Sequence, residues 1–258
     1  MKEIFINVVV QPFYNALILL TNFVTSDLGI ALIILTIIFR LVLFPLYKSQ
    51  IRTQIKMNQI QEPLKKIQEK YKNDREALGR EMLKLYKQNK VNPFSGILIL
   101  IIQLPLLLGF YYVFSRAGLP NINENLLYSF VHWPDNLSTV FLGIIDMTGK
   151  SLPLAIAAAV AQFFQMQLML PKKKAVDETK KTNNVSPENV MKSMQTQMAY
   201  VMPAMMGMFA YTLGAMLGLY FLVGSLISIG QEFYIRKSIK GPEEERLKKE
   251  KELSEKII

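Results

Sequence analysis

The chain has 258 residues, 51% of them apolar and only 19% charged, which excludes a disordered or fibrous protein and is too little charge for an ordinary soluble domain. The absence of cysteine removes disulfides, thiolate metal sites, cysteine nucleophiles and a lipidated cysteine in one step. The formal net charge of +10 suits nucleic acid or an anionic membrane surface, and the placement of the charges decides between them.

In chain order, Ile4 to Val24 is uncharged and long enough to cross a bilayer, yet it carries Asn7, Gln11, Asn15 and Asn22. Their spacing of four, four and seven puts the amides on one helical face, with Val8, Phe13, Leu17 and Leu20 largely elsewhere. This predicts an external interfacial amphipathic helix within residues 1–27 in preference to a span. A secretory signal is not expected, because the start offers a single Lys2 beside Glu3 and no small-residue cleavage site follows.

A helix rises about 1.5 Å per residue, so roughly 20 apolar residues are needed to cross about 30 Å of hydrocarbon. Residues 28–47, with Arg40 as the one charge, 94–115 and 152–170 meet that length and form the first three expected spans. The uncharged stretch from Ser193 to Gln231 would be about 58 Å as one helix and must fold back. Its corner is expected between Thr212 and Gly218, where two glycines free the backbone, giving spans at 193–213 and 214–235. The fold class is therefore all-α, a polytopic membrane protein with five transmembrane helices.

Between the first two spans, residues 48–93 read as an antiparallel helical hairpin. Ile60, Leu64, Ile67 and Tyr71 repeat at helical spacing, as do Leu78, Met82 and Leu85, with a break at Lys72, Asn73 and Asp74. Pro63 should bend the first arm. Of the 30 Lys and Arg, 12 lie between Lys48 and Lys90, six between Lys172 and Lys192, and eight between Arg236 and Lys256. Five spans put all three blocks (48–93, 171–192 and 236–258) on one side, with the external loop 116–151 opposite, so the positive-inside rule predicts an outside N-terminus and a cytoplasmic C-terminus. Topology alone accounts for the net charge, and DNA is not an expected partner.

Arg40 is the sharpest candidate, since insertion scales put the cost of an arginine at a helix centre near 2.5 to 3.5 kcal/mol. It can snorkel toward Lys48 and the headgroups, or it can face a wet cavity. The uncharged runs hold no carboxylate to pair with it, which leaves water, amides or a passing ligand. Gln162, Gln165 and Gln167 of the third span and Gln103 of the second could line that cavity or hydrogen-bond neighbouring helices. Methionines at 191, 194, 198, 202, 205, 206, 208 and 216 suit adaptable apolar contact or plain packing.

Enzyme readings fail on inventory. His132 is the one histidine and sits beside Trp133 in the external loop, where it suits interfacial anchoring, and Gly149-Lys150-Ser151 lacks the earlier glycine of a phosphate loop because Ile144 stands there. No metal, cofactor or catalytic residue is expected.

Ile38-Phe39-Arg40-Leu41 through Pro45-Leu46, Val91-Asn92-Pro93, Gln103-Leu104-Pro105, Leu152-Pro153, Met202-Pro203 and Leu219-Tyr220, in this order and spacing, resemble the YidC-type membrane protein insertase family over nearly the whole chain. The chain departs from the family before Leu219-Tyr220, where Gly214 and Met216 stand in place of a proline and a glycine. The resemblance implies the minimal bacterial core form: an insertase working without nucleotide hydrolysis through a hydrophilic groove, with Arg40 as the groove arginine and Gln103, Gln162, Gln165 and Gln167 as groove candidates. The implied partners are nascent membrane-protein clients, the ribosome through the C-terminal tail, the Sec translocation channel and anionic lipids. A small channel or secondary transporter with an anionic substrate at Arg40 is the competing expectation, although no internal repeat of broken helices supports it.

Overall fold

The computed structural model describes residues 2–92, 95–115, 123–169 and 187–255, with side chains left out at 2, 95–102, 115, 169, 187–198 and 240–255. The basic cluster at 172–174, the rest of the expected loop through 186, the first part of the external loop through 122, and the side chains of Met191, Met194, Met198 and the tail's charged residues from Lys240 onward lie outside that description.

The described residues are overwhelmingly helical, and the protein is an all-α polytopic membrane protein. The chain divides into two compact units: residues 1–43 with 94–227, and residues 44–93 with 228–258. By length and composition, Glu3–Phe23 and Ala215–Ile239 can each cross a membrane, as can Leu28–Val42 with Phe44–Gln59 if that interrupted pair is one span. Shorter apolar helical stretches run over Gln103–Phe114, Leu152–Leu168 and Ala199–Leu213.

The first unit opens with α1 (Lys2–Phe5), a π-helical turn (Ile6–Val10) and α2 (Gln11–Phe23). Pro12 explains the π turn, because its ring would collide with the carbonyl four residues back and its nitrogen cannot donate. The widened turn passes the hydrogen bond to Gln11, whose N–H reaches the Ile6 carbonyl. The amide stripe divides. Asn7 and Asn22 are exposed, whereas Asn15 is 1% exposed and held by protein, so the stripe is not one wet face. Asn15 donates to the carbonyls of Gln11 and Leu126 at 2.7 Å each and accepts from the Tyr128 N–H at 2.7 Å.

Asp27 caps α3 (Leu28–Val42) by accepting from the Gly29 and Ile30 N–H groups at 2.8 and 3.2 Å, and its other oxygen accepts from Leu142 at 2.8 Å. It thereby ties the helix start to a short hairpin, β1 (Val140–Phe141) paired with β2 (Ile145–Asp146), that the helical expectation did not contain. Gly29 lies flat against Phe141, where a Cβ would stand 2.5 Å from a ring carbon. At the end of β2 Asp146 accepts from the side chain and backbone of Thr148, which holds its carboxyl below the usual range. Trp133 packs on the core, and His132 is exposed while its carbonyl accepts from Asn22 at 2.6 Å.

α7 (Ser95–Ser115), α8 (Leu152–Met169) and α9 (Pro187–Leu213) complete the apolar bundle with the first part of α10 (Ala215–Glu255). Small residues set the spacing between α8 and α9: Gly207 faces Ala159 and the Ala155 carbonyl so closely that a Cβ would stand 2.8 Å from the Ala159 methyl. The chain turns at Gly214 alone, at φ +113°, and the Ala215 N–H donates to the Gly149 carbonyl at 2.8 Å. Gly218, the second glycine of the expected corner, lies inside α10 and receives Leu154. Met216 is buried in the core, while Met205 and Met208 are exposed. Phe13, Phe110 and Tyr220 pack in sequence as tilted rings with centroids 4.4 and 4.2 Å apart, joining α2, α7 and α10, and Phe39 of α3 stacks on Phe13.

The helix expected over 28–47 stops at Leu43. Pro45 cannot donate to Leu41 four residues back, so the Leu43 N–H makes the last regular bond of the helix, to the Phe39 carbonyl, and shares it with that of Leu41. The second unit then begins with α4 (Phe44–Gln59), α5 (Gln61–Lys70) and α6 (Arg75–Gln88). Pro63 does not bend a continuous arm; the break falls at Ile60, and Pro63 sits in the first turn of α5, where its missing N–H costs nothing. Ile60, Leu64, Tyr86 and Val91 form the buried seam with Met57, Met82 and Leu85 against it, while Ile67, Tyr71 and Leu78 are half-buried. Burial pushes the Tyr86 phenol up. Asp74 caps α6 through the Glu76 and Ala77 N–H groups.

Asn15 serves two backbone groups of the external segment at once, so Asn15→Leu should lower stability by about 2 kcal/mol, whereas Asn7→Leu on the exposed part of the stripe should change it by less than about 0.5 kcal/mol. Thermal unfolding in detergent checks the pair.

Candidate functional site

Arg40 stands on the last turn of α3, a helix whose other residues are uncharged, because Leu28 to Val42 is otherwise an apolar run capped at its start by Asp27. Its guanidinium lies against α10 at Gly224, where Nη2 is 3.0 Å from the position a Cβ would take and the central carbon and Nε are 3.8 Å away. The glycine lets the guanidinium come this close, and a side chain there would shift it outward. The residue is half-buried and its guanidinium leans across to a neighbouring helix.

The next residue extends the polar patch. Ser225, 2% exposed, donates its hydroxyl to the Gln162 side-chain oxygen on α8 at 2.8 Å. One turn earlier on α10, the Tyr220 hydroxyl accepts from the Gln103 side chain on α7 at 3.0 Å. Tyr220 and Gly224 are four apart and share a face, while Ser225 lies about 100° round the helix, so Arg40, Gln162 and Gln103 reach α10 from three other helices along about 8 Å of its length but not all on one face. Half-burial of Arg40, Gln103 and Gln162 leaves each able to meet water or a ligand.

Gln165 is half-buried and Gln167 exposed, and neither has a side-chain hydrogen bond among the described residues, so of the three candidate glutamines in α8 the geometry brings only Gln162 into this group. Sequence reasoning missed Gly224 and Ser225. Their signal was available: Gly224, Ser225 and Ser228 make a small, weakly polar stripe at helical spacing within an otherwise apolar run. Tyr220 was visible only as part of the Leu219-Tyr220 pair.

A second miss lies in the other unit. The uncharged stretch ends at Gln231, and the next residue, Glu232, falls inside the apolar segment Ala215–Ile239 and is 1% exposed. A carboxylate therefore does occur in an expected span. Glu232 accepts from Arg236 one turn on, at 2.8 Å from Nε and 2.5 Å from Nη2, so a buried charge carries its own partner. Groups of three or more potential metal ligands are absent among the described residues.

Residues 19–244 match the family model described as 60Kd inner membrane protein. A protein of Clostridium tetani named membrane protein insertase YidC is 31% identical over 231 residues, covering 89% of this chain and 90% of its own length. Relatives of the same name from Clostridium perfringens and Citrifermentans bemidjiense are 39% identical over 140 residues and 29% over 235. The former alignment covers 54% of this chain and 53% of the relative, the latter 90% of this chain and 37% of the relative.

Gly224→Val should push the guanidinium off α10, and Ser225→Ala should strip Gln162 of its donor, at a cost of about 1 to 3 kcal/mol each. Thermal unfolding measures both. The valine should also alter thiol labelling of a nearby cysteine introduced at Thr36 or Leu43, whereas Gly230→Ala, where nothing lies within 4 Å of the new methyl, should leave that labelling unchanged and, by helix propensity, raise the unfolding temperature slightly.

Proposed function

The chain belongs to the 60Kd inner membrane protein family, and from that premise we propose that it inserts client membrane proteins into the bacterial cytoplasmic membrane through a hydrophilic groove, without nucleotide hydrolysis. The observation that carries this reading is the position of Arg40: a permanent cation, half-buried in an apolar bundle, set on a glycine face of α10 beside the Ser225–Gln162 hydrogen bond.

The physical task is desolvation. A client's polar tail loses its water on entering hydrocarbon, and each unsatisfied polar group there costs several kcal/mol. A polar groove part of the way through shortens the dry path and lowers the barrier. Arg40 attracts acidic residues of the passing tail, while Gln162 and Gln103 exchange their present partners, Ser225 and Tyr220, for the tail's backbone groups. The client's apolar segment then moves sideways into lipid, and its own partitioning supplies the driving force.

The topology that goes with this puts the N-terminus outside and the three basic segments in the cytoplasm, where the hairpin of α4 to α6 receives nascent chains. The C-terminal tail approaches ribosomal RNA in a salt-dependent way, an attraction that its six glutamates from Glu243 onward dilute. The Sec channel is a further partner.

Reconstituted vesicles test the reading. The purified protein should insert a short single-span client, and Arg40→Ala should slow clients with acidic tails about tenfold, or about 1.4 kcal/mol in the barrier, while sparing neutral tails. A cysteine at position 40, in a chain free of native thiols, should be labelled by a water-soluble reagent. Accumulation of a small anionic solute with no client inserted would instead establish the transporter.

A further inference from the structure

α4 begins with the apolar turn Phe44-Pro45-Leu46-Tyr47 and becomes basic at Lys48. Pro45, Lys48, Ser49, Arg52, Thr53 and Lys56 follow each other at three, one, three, one and three, which keeps all six on one helical stripe. With Lys90, which follows α6, they line a cavity of about 360 Å³. Four of the seven lining residues are cations and none is a carboxylate.

Two local features run against the preferences of the backbone and converge on this cavity. Lys48, Arg52 and Lys56 stand at i, i+4 and i+8, a like-charge ladder that destabilises a helix unless something neutralises it. The ion pairs of the hairpin lie elsewhere: Lys65–Glu62, Arg80–Glu76 and Lys84–Glu81 leave all four cavity cations without an acidic partner among the described residues. Lys90 sits at φ +51°, the left-handed position that closes a helix and that glycine or asparagine fills at least cost. The closure itself is regular, with the Val91 N–H on the Tyr86 carbonyl at 3.0 Å and the Lys90 N–H on that of Lys87 at 3.1 Å. A lysine is held where a glycine would be easier, and its side chain lines the cavity.

We propose that this cavity seats the phosphate of an anionic glycerophospholipid. Arg52 supplies the forked donor that matches phosphate oxygens, and Lys48, Lys56 and Lys90 supply compact charges around it. The Thr53 hydroxyl is spent on the Ser49 carbonyl at 3.0 Å, so Ser49 provides the neutral donor. Free phosphate shares this chemistry. The lipid is favoured because the apolar turn Phe44–Tyr47 directly precedes the first cation along the same helix and offers the glycerol and acyl end a neighbour that an inorganic ion does not need. The inference gives the expected anionic-lipid partner a location, and it stands independently of the insertion reading.

Calorimetric titration of the purified full chain in nonionic detergent, with short-chain phosphatidylglycerol, the matching phosphatidylcholine and inorganic phosphate, tests it. Phosphatidylglycerol should bind at least about tenfold more tightly than either alternative, and Arg52→Gln with Lys56→Gln should remove about tenfold of that affinity. Lys90→Gly should weaken lipid binding while raising the unfolding temperature of the lipid-free protein, a combination that misfolding cannot produce. Arg80→Gln, on an exposed ion pair, should leave binding unchanged. Equal affinity for inorganic phosphate overturns the lipid as occupant. Equal binding of the two lipids, or binding indifferent to the paired substitution, overturns the site. So does lipid indifference combined with tight capture of a ribosomal RNA hairpin, which would make the cavity part of an RNA surface.

Discussion

A guanidinium keeps its charge in any protein environment, so an arginine within an apolar bundle obliges the surrounding helices to supply polar company or lose stability. α10 in the first unit presents polar and bare-backbone positions along this stretch. Gly224 offers Arg40 a bare backbone face, Ser225 engages Gln162, and Tyr220 engages Gln103, so three polar side chains from separate helices meet one helix within little more than a turn. A bulky residue at 224 would push the cation outward, and one without a hydroxyl at 225 would leave Gln162 without its donor. The aromatic row Phe13–Phe110–Tyr220 then holds α10 in register from the apolar side, with Phe39, the neighbour of Arg40, against Phe13.

The same accounting governs the external segment. Residues 123–151 contain little regular structure, and their backbone groups need partners. Asn15 serves Leu126 and Tyr128, Tyr14 accepts from the Asn123 N–H, Asn22 donates to the His132 carbonyl, and Asp27 serves Leu142 after capping α3. The amides of α2 thus act as ties to a loop more than a hundred residues away in sequence. The hairpin of α4 to α6 is held differently, by a narrow apolar seam and exposed ion pairs of small worth, which leaves its charged stripe free to meet an anion.

Much of this was legible because membrane solvent imposes simple rules. Uncharged runs near 20 residues, basic blocks between them and the helical repeat of Ile60 and Leu64 come directly from one-dimensional spacing. The departures have equally local causes. Pro45 ends α3 at Leu43, Pro12 forces the π turn, and Pro63 starts a helix where it had been expected to bend one, since the effect of a proline depends on which carbonyl lies four residues behind it. Glu232 follows directly on an uncharged run and still lies within the apolar helix, where Arg236 on the next turn answers it.

What the amino-acid order determined alone is the solvent, the helices, the isolated charge at position 40 and the family, because each depends on composition, periodicity or the spacing of residues along one chain. What only the tertiary structure decided is which of the three glutamines on α8 joins the arginine's helix, which amide of α2 is buried, and which basic residues share a cavity with Lys90. Periodicity identifies the faces of a helix, but two faces meet only after the connecting segments, the small residues and the caps have set the distance and rotation of each helix against its neighbours.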